Sequence, residues 1–185
     1  MENSLKTNNM RPLGAVNIKK LQEKVMKIPE LLWFAENQAK PNKFEALQST
    51  QHIIFSFIHH WEDHTNYAHR PLWDMWKALI QPILDEVILP FNYDQPHFPR
   101  IMLAKMPPHT KIAPHIDAAK AAQFPHKIHV PLQTNPQTFF FHKHQKYHFE
   151  VGQAYEVNNN MEHWVVNEGD TDRIHLIFEC YNGSH

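Results

Sequence analysis

Apolar positions follow two different rhythms along the chain, and the change comes near residue 90. Before it, Val16, Leu21, Val25 and Ile28 recur at the spacing of one helix face, and Pro29 marks the end of that stretch. Leu72, Trp73, Trp76, Leu79, Ile80, Ile83 and Val87 predict a longer helix near 72–88. Pro71 suits its first turn, where a missing backbone N–H costs little, and Pro90 is its stop. Pro82 falls inside it and predicts a kink or a split, because proline removes a backbone donor. Segment 49–69 is ambiguous, since Ile53-Ile54-Phe55-Ser56-Phe57-Ile58 reads equally as a buried strand.

After residue 97 the pattern becomes short strands between polar turns. Candidates are 100–105, 126–132, 137–142, 147–151, 154–157, 163–166 and 173–181. Single strands need partners for their backbone groups, so this many in the last half predict a sandwich or barrel. The expectation is one domain, mainly β, with residues 1–95 as a mainly helical N-terminal layer and 96–185 as the β core.

Composition narrows the function classes. Hydrophobic residues make up 42% of the 185 and charged residues 20%, which excludes wholesale disorder. A net charge of −1 argues against a surface built for nucleic acid or an anionic membrane. Cys180 is the only cysteine, so no internal disulfide can form. No signal peptide or membrane-spanning run is visible, and a cytoplasmic protein is expected. Glycine occurs 4 times against 14 prolines, so tight turns must draw on Pro, Asn and Asp. Histidine occurs 16 times, which turns attention to metal chemistry.

The pair His115 and Asp117 puts an imidazole and a carboxylate two residues apart, a weak signal alone. His163, at the start of a predicted strand, adds a second imidazole. Two histidines and one carboxylate form the facial triad that holds non-haem Fe(II) and leaves positions open for cosubstrate and O2. Arg173 lies ten residues further on and is one of four arginines. Alternation puts Arg173, His175 and Ile177 on one face of its strand and Ile174, Leu176, Phe178 and Cys180 on the other. A guanidinium buried there needs an anion: a bound carboxylate, or a salt bridge to Glu179, Glu156 or Asp172.

The stretch from Leu103 to His115, then His129-Val-Pro-Leu132, Met161-Glu-His-Trp164 and Arg173-Ile-His-Leu176, resembles the aspartyl/asparaginyl β-hydroxylase family over about residues 98–181. The resemblance implies a double-stranded β-helix (jelly roll, cupin-like) and an Fe(II)- and 2-oxoglutarate-dependent dioxygenase. It implies hydroxylation of an unactivated C–H of an amino acid, a peptidyl side chain or a related small metabolite. On its motifs His115, Asp117 and His163 hold the iron, and no catalytic group is needed beyond these ligands. Arg173 pairs with the distal carboxylate of 2-oxoglutarate, and His129 assists. Lys127 stands where the family has arginine, which keeps the charge and loses the bidentate fork. Some members carry glycine where Asp117 supplies a carboxylate here. The separation of His115 from His129 implies a small insertion around 118–125, at the substrate entrance.

Trp164 and Phe139-Phe140-Phe141 are candidate apolar walls for the substrate, although plain core is the commoner role for such residues. His60 and His64 have helical metal spacing but lack the order of a metalloprotease motif. His142, His144 and His148, with Lys143 and Lys146, read as a solvated hairpin face. Trp73 and Trp76 are a candidate homodimer surface. Two other classes stay open: a cupin-like metalloenzyme that does not use 2-oxoglutarate, and a non-catalytic jelly-roll binding module.

Overall fold

Period-two alternation in the strand Arg173–Asn182 organises the molecule. Ile174, Leu176, Phe178 and Cys180 enter the main apolar core, while Arg173, Ile177 and Glu179 line a cavity on the other face. The computed structural model describes residues 6–41 and 44–183. Their elements are β1 (Met10–Ala15), α1 (Lys19–Val25), α2 (Glu30–Gln38), β2 (Gln51–His60), β3 (Asp63–His69), α3 (Trp73–Ile88), β4 (Pro96–Met106) and β5 (Thr110–His115). There follow α4 (Lys120–Gln123), β6 (His126–Gln133), β7 (Thr138–His142), β8 (Gln145–Tyr147), β9 (Gln153–Val157), β10 (His163–Asn167) and β11 (Arg173–Asn182).

The large sheet runs β1-β9-β6-β11-β4-β2-β3 and the small one β5-β10-β7-β8, with antiparallel pairing throughout. This is a jelly roll with a helical layer on the outer face of the large sheet. Leu21, Val25, Trp33 and the buried stripe of α3 pack there against Ile101, Leu103, Ile128, Val130 and Leu176. Met106, Phe140, Phe149, Tyr155 and Val165 fill one end of the space between the sheets. No helix among the described residues is long and apolar enough to cross a membrane.

Several expectations change. The N-terminal half contributes three strands to the large sheet besides its helices. The ambiguous segment 49–69 is the β2–β3 hairpin, so His60 and His64 never stand one helical turn apart. Pro82 does not split α3, because the buried stripe from Trp73 to Ile88 holds the helix on the sheet. Pro82 and Ala78 are exposed, so the carbonyl that loses its partner can turn to water. Trp73 and Trp76 are both buried, at 3% exposure, and cannot form a dimer surface. The strand expected at 147–151 is instead the short β8, and β1 and β5 went unpredicted because few of their side chains are buried. With so few glycines, left-handed backbone falls to Asn92, His109 and Lys143 in three of the turns.

Phe55 on β2 is fully buried, with its ring 5.6 Å from that of Trp76. Phe55→Ala is expected to cost about 3–5 kcal/mol, seen as a lower urea midpoint at unchanged slope. A loss under about 1 kcal/mol would contradict the burial of β2 beneath α3.

Candidate metal centre

β10 lies between β5 and β7, and its first residue, His163, is paired with His115, the last residue of β5. The rings sit 4.3 Å apart. Asp117 follows two residues later, its main-chain N–H donating to Asn159 O at 3.0 Å. The ligating atoms of His115, Asp117 and His163 all lie within 4.8 Å of one another. His115 Nδ1 donates to Ala113 O at 2.8 Å and His163 Nδ1 to Met161 O at 2.9 Å. Each carbonyl fixes the tautomer in which Nε2 keeps its lone pair for a metal. Burial lowers the pKa of His163 to about 4, against the raising effect of Asp117, so this imidazole is neutral at pH 7. The donor set, two imidazoles and one carboxylate, fits an ion of the Fe(II) type.

Burial opposes ionisation of Asp117, but Lys127 and the histidines outweigh it and hold the carboxyl well below its usual range. Lys127 Nζ donates to Asp117 Oδ2, and Asn159 Nδ2 reaches the same oxygen at 3.1 Å. Asn159 is fully buried and is held in turn by Lys6, whose Nζ donates to its side-chain oxygen at 2.7 Å. Lys127 is thus placed on the carboxylate of the triad, where the sequence expectation had it at the cosubstrate.

The cavity that opens from the triad has a volume of about 510 Å³ and includes Lys127, His129 and Arg173 in its lining. Arg173 is 2% exposed. Its Nη2 donates to His175 Nδ1 at 2.6 Å and lies 3.5 Å from His129 Nδ1, while its Nε has no partner among the described residues. The three carboxylates considered as salt-bridge partners are engaged elsewhere. Glu179 pairs with Arg100, Glu156 with Arg11 and His126, and Asp172 approaches Lys105. Burial brings the guanidinium down to about 9, still protonated at pH 7. Burial, then the charge of Arg173, pushes His129 and His175 well below the usual imidazole range. The result is one buried cation among neutral imidazoles, suited to a carboxylate.

Strand alternation corrects the expected walls. With His163 facing in, Trp164 faces out and stacks on Phe141 at 4.9 Å, so Trp164 does not line the cavity. Of the Phe139–Phe141 run only Phe140 lines it. His142 is buried, with Nε2 donating to Asn158 O at 3.0 Å, whereas His144 and His148 are exposed. The expected insertion contains α4, and Ala118, Ala119 and Ala122 of this segment line the cavity. Phe57, Trp61, Arg100 and Glu179 also line it and escaped the sequence reading. Their one usable signal was that Arg100 and Glu179 are charged residues within largely apolar strands.

A family model described as Aspartyl/Asparaginyl beta-hydroxylase matches residues 80–182. No curated protein matches the chain. Among solved structures, the fold is similar to that of a 2OG-Fe(II) oxygenase family oxidoreductase from Burkholderia pseudomallei. The identity is 13%, with 89% of this chain and 90% of that one covered and a TM-score of 0.59. It is also similar to the viral collagen prolyl hydroxylase of Paramecium Bursaria Chlorella virus-1, solved as a 2OG complex, at 9% identity over 95% and 96% of the chains (TM-score 0.52). A third such structure is the non-heme monooxygenase ThoJ in complex with nickel, at 14% identity over 95% of this chain and 74% of that one (TM-score 0.57). The family match covers more than half of the sequence and includes both histidines, the carboxylate and the buried arginine: the chain belongs to the aspartyl/asparaginyl β-hydroxylase family.

Proposed function

We propose that the protein is an Fe(II)- and 2-oxoglutarate-dependent hydroxylase acting on an unactivated C–H of an amino acid, a peptidyl side chain or a related small metabolite. The observation that carries this reading is the fully buried guanidinium of Arg173, without a carboxylate partner among the described residues, in the same cavity as the His115–Asp117–His163 cluster. A cupin-like metalloenzyme that does not use 2-oxoglutarate has no need of that cation, and a non-catalytic binding module has no need of the cation and the His115–Asp117–His163 cluster in one cavity.

His115, Asp117 and His163 would hold the iron, which supplies oxygen activation coupled to decarboxylation of 2-oxoglutarate. Arg173 binds the distal carboxylate, with His129 beside it, and so sets the orientation of the cosubstrate. Lys127 and Asn159 hold Asp117 turned toward the histidines. Phe140, Ile112 and Val165 shield the centre from water.

Anaerobic addition of Fe(II) and 2-oxoglutarate is expected to give a visible metal-to-ligand charge-transfer band. Arg173→Ala should weaken 2-oxoglutarate binding by about two to three orders of magnitude while iron still binds. Unchanged affinity in that variant would remove Arg173 from the cosubstrate site. Iron binding without any band would favour the cupin reading.

A further inference from the structure

A clasp formed by the first described residues reaches the metal centre. Lys6 Nζ lies 2.7 Å from two acceptors on separate parts of the chain, Asn159 Oδ1 and Ala122 O. Asn159 is fully buried and uses both N–H groups of its amide: Nδ2 donates to Asp117 Oδ2 at 3.1 Å and to Ala122 O at 3.2 Å. Its main-chain O accepts from Asp117 N at 3.0 Å. The chain on either side of these bonds is laced together as well. Thr7 N donates to Glu156 Oε1 at 3.2 Å, Asn158 N donates to Asn9 O at 3.0 Å, and Met10 pairs with Val157 in the β1–β9 ladder. Asn160 Nδ2 donates to Gln123 O at 3.0 Å. Residues 6–10 thus hold the β9–β10 turn against the α4 segment, whose Ala118, Ala119 and Ala122 line the cavity.

The chemistry of the amide gives Lys6 a part in metal ligation. An ammonium group only donates, so of the two ends of the Asn159 amide it can pair with the oxygen alone. That fixes the NH2 end on Asp117 Oδ2. Turned over, the amide would set its oxygen against the carboxylate and its N–H groups against the ammonium. Without Lys6, the buried Oδ1 would lose the ammonium it accepts from, a costly state that the turn can relieve only by shifting. With Asn159 and Lys127 both on Oδ2, Oδ1 is the oxygen left toward His115 Nε2, 3.8 Å away. A carboxylate held through one oxygen presents the other to a metal in a fixed direction.

We infer that Lys6 is a positioning residue for the metal centre: through Asn159 it orients the Asp117 carboxylate, and through Ala122 it ties the cavity wall to the same point. This role rests on the oxygenase reading, since it takes His115, Asp117 and His163 to be metal ligands. The clasp and the metal share Asp117, so each must strengthen the other by the same factor.

The test titrates the full-length protein with Mn(II) alone, counting the free ion by EPR. Lys6→Met is expected to bind Mn(II) about ten- to a hundredfold more weakly, the usual loss for a group that supports a metal ligand, and Lys6→Arg to stay within about threefold of the unaltered protein. Lys19→Met, at an exposed position, should match the unaltered protein. In an Asn159→Ala background Lys6→Met should add little, because both changes act on Asp117 through one contact. Equal Mn(II) affinity in Lys6→Met and the unaltered protein, even beside a lower melting temperature, would reduce the clasp to a structural tie and overturn its positioning role, leaving the oxygenase reading intact. Full additivity with Asn159→Ala would do the same. If the unaltered protein binds no Mn(II), the metal centre falls and the role of Lys6 falls with it. Hydrogen exchange decides the matter without any variant. Mn(II) should slow the main-chain amides of residues 6–10 about tenfold, and unchanged exchange there would overturn the clasp.

Discussion

His163→Ala is expected to lose Fe(II) binding and all measurable turnover while the jelly roll stays folded. His163 is 5% exposed, starts the central strand of the small sheet, and has its Nε2 kept free by the bond from Nδ1 to Met161 O. Losing only a hydrogen bond that supports a ligand typically costs about 10–100-fold in metal affinity, so losing the ligand should exceed that. The strand keeps its backbone ladder to both β5 and β7, which is why the fold is expected to survive. Bound iron after anaerobic loading and desalting, beside a far-UV CD spectrum, checks the prediction. Glu162→Ala serves as control, because Glu162 is exposed and adjacent. Stoichiometric iron in His163→Ala would disprove the assignment of this histidine.

The second large effect concerns acid. Among the buried imidazoles, four have strongly lowered pKa values. Burial takes His52 down to about 3 and His163 to about 4, and His129 and His175 are pushed well below the usual range. In the unfolded chain each accepts a proton near pH 6.5. Between about 6.5 and 4 the unfolded state therefore binds up to four more protons than the folded state. Folded-state pKa values are depressed, so this contribution is fully present above pH 6.5 and is lost as the pH falls. Each group contributes up to about 1.4 kcal/mol per pH unit, or about 5 kcal/mol per unit for the four together. Against a typical total of about 5–15 kcal/mol, the metal-free protein is expected to unfold between about pH 6 and 4. Urea titrations at stepped pH, followed by CD, would show the midpoint falling steadily below 6.5. A midpoint unchanged down to pH 4.5 would mean that these histidines are solvated or paired with acids.

Local pattern carried much of the site. His115, Asp117 and His163 are legible because an imidazole and a carboxylate stand two residues apart and a second imidazole opens a predicted strand. Arg173 was legible because a rare arginine opens a largely apolar strand ten residues after His163. Alternation from His163 was itself enough to turn Trp164 outward, a signal within reach of the sequence. Strands such as β5 gave no comparable signal, since of its six residues only Ile112 is buried. A half-exposed edge has no apolar rhythm to read.

Local sequence specifies the element types where burial is periodic, the stripe of α3 and the two-residue alternation of β4, β6 and β11, because each periodicity is imposed by local backbone geometry. It also put His163 at the start of a strand. Which charges meet is settled by the assembled sheets. Lys127 reaches Asp117 across the cavity, Glu156 draws in both Arg11 and His126, and Arg100 finds Glu179 across 79 residues of chain, leaving Arg173 alone with its imidazoles. Those pairings follow from the register of strands far apart in sequence. That register is set by packing the whole sheet against its helices, and no local pattern encodes it.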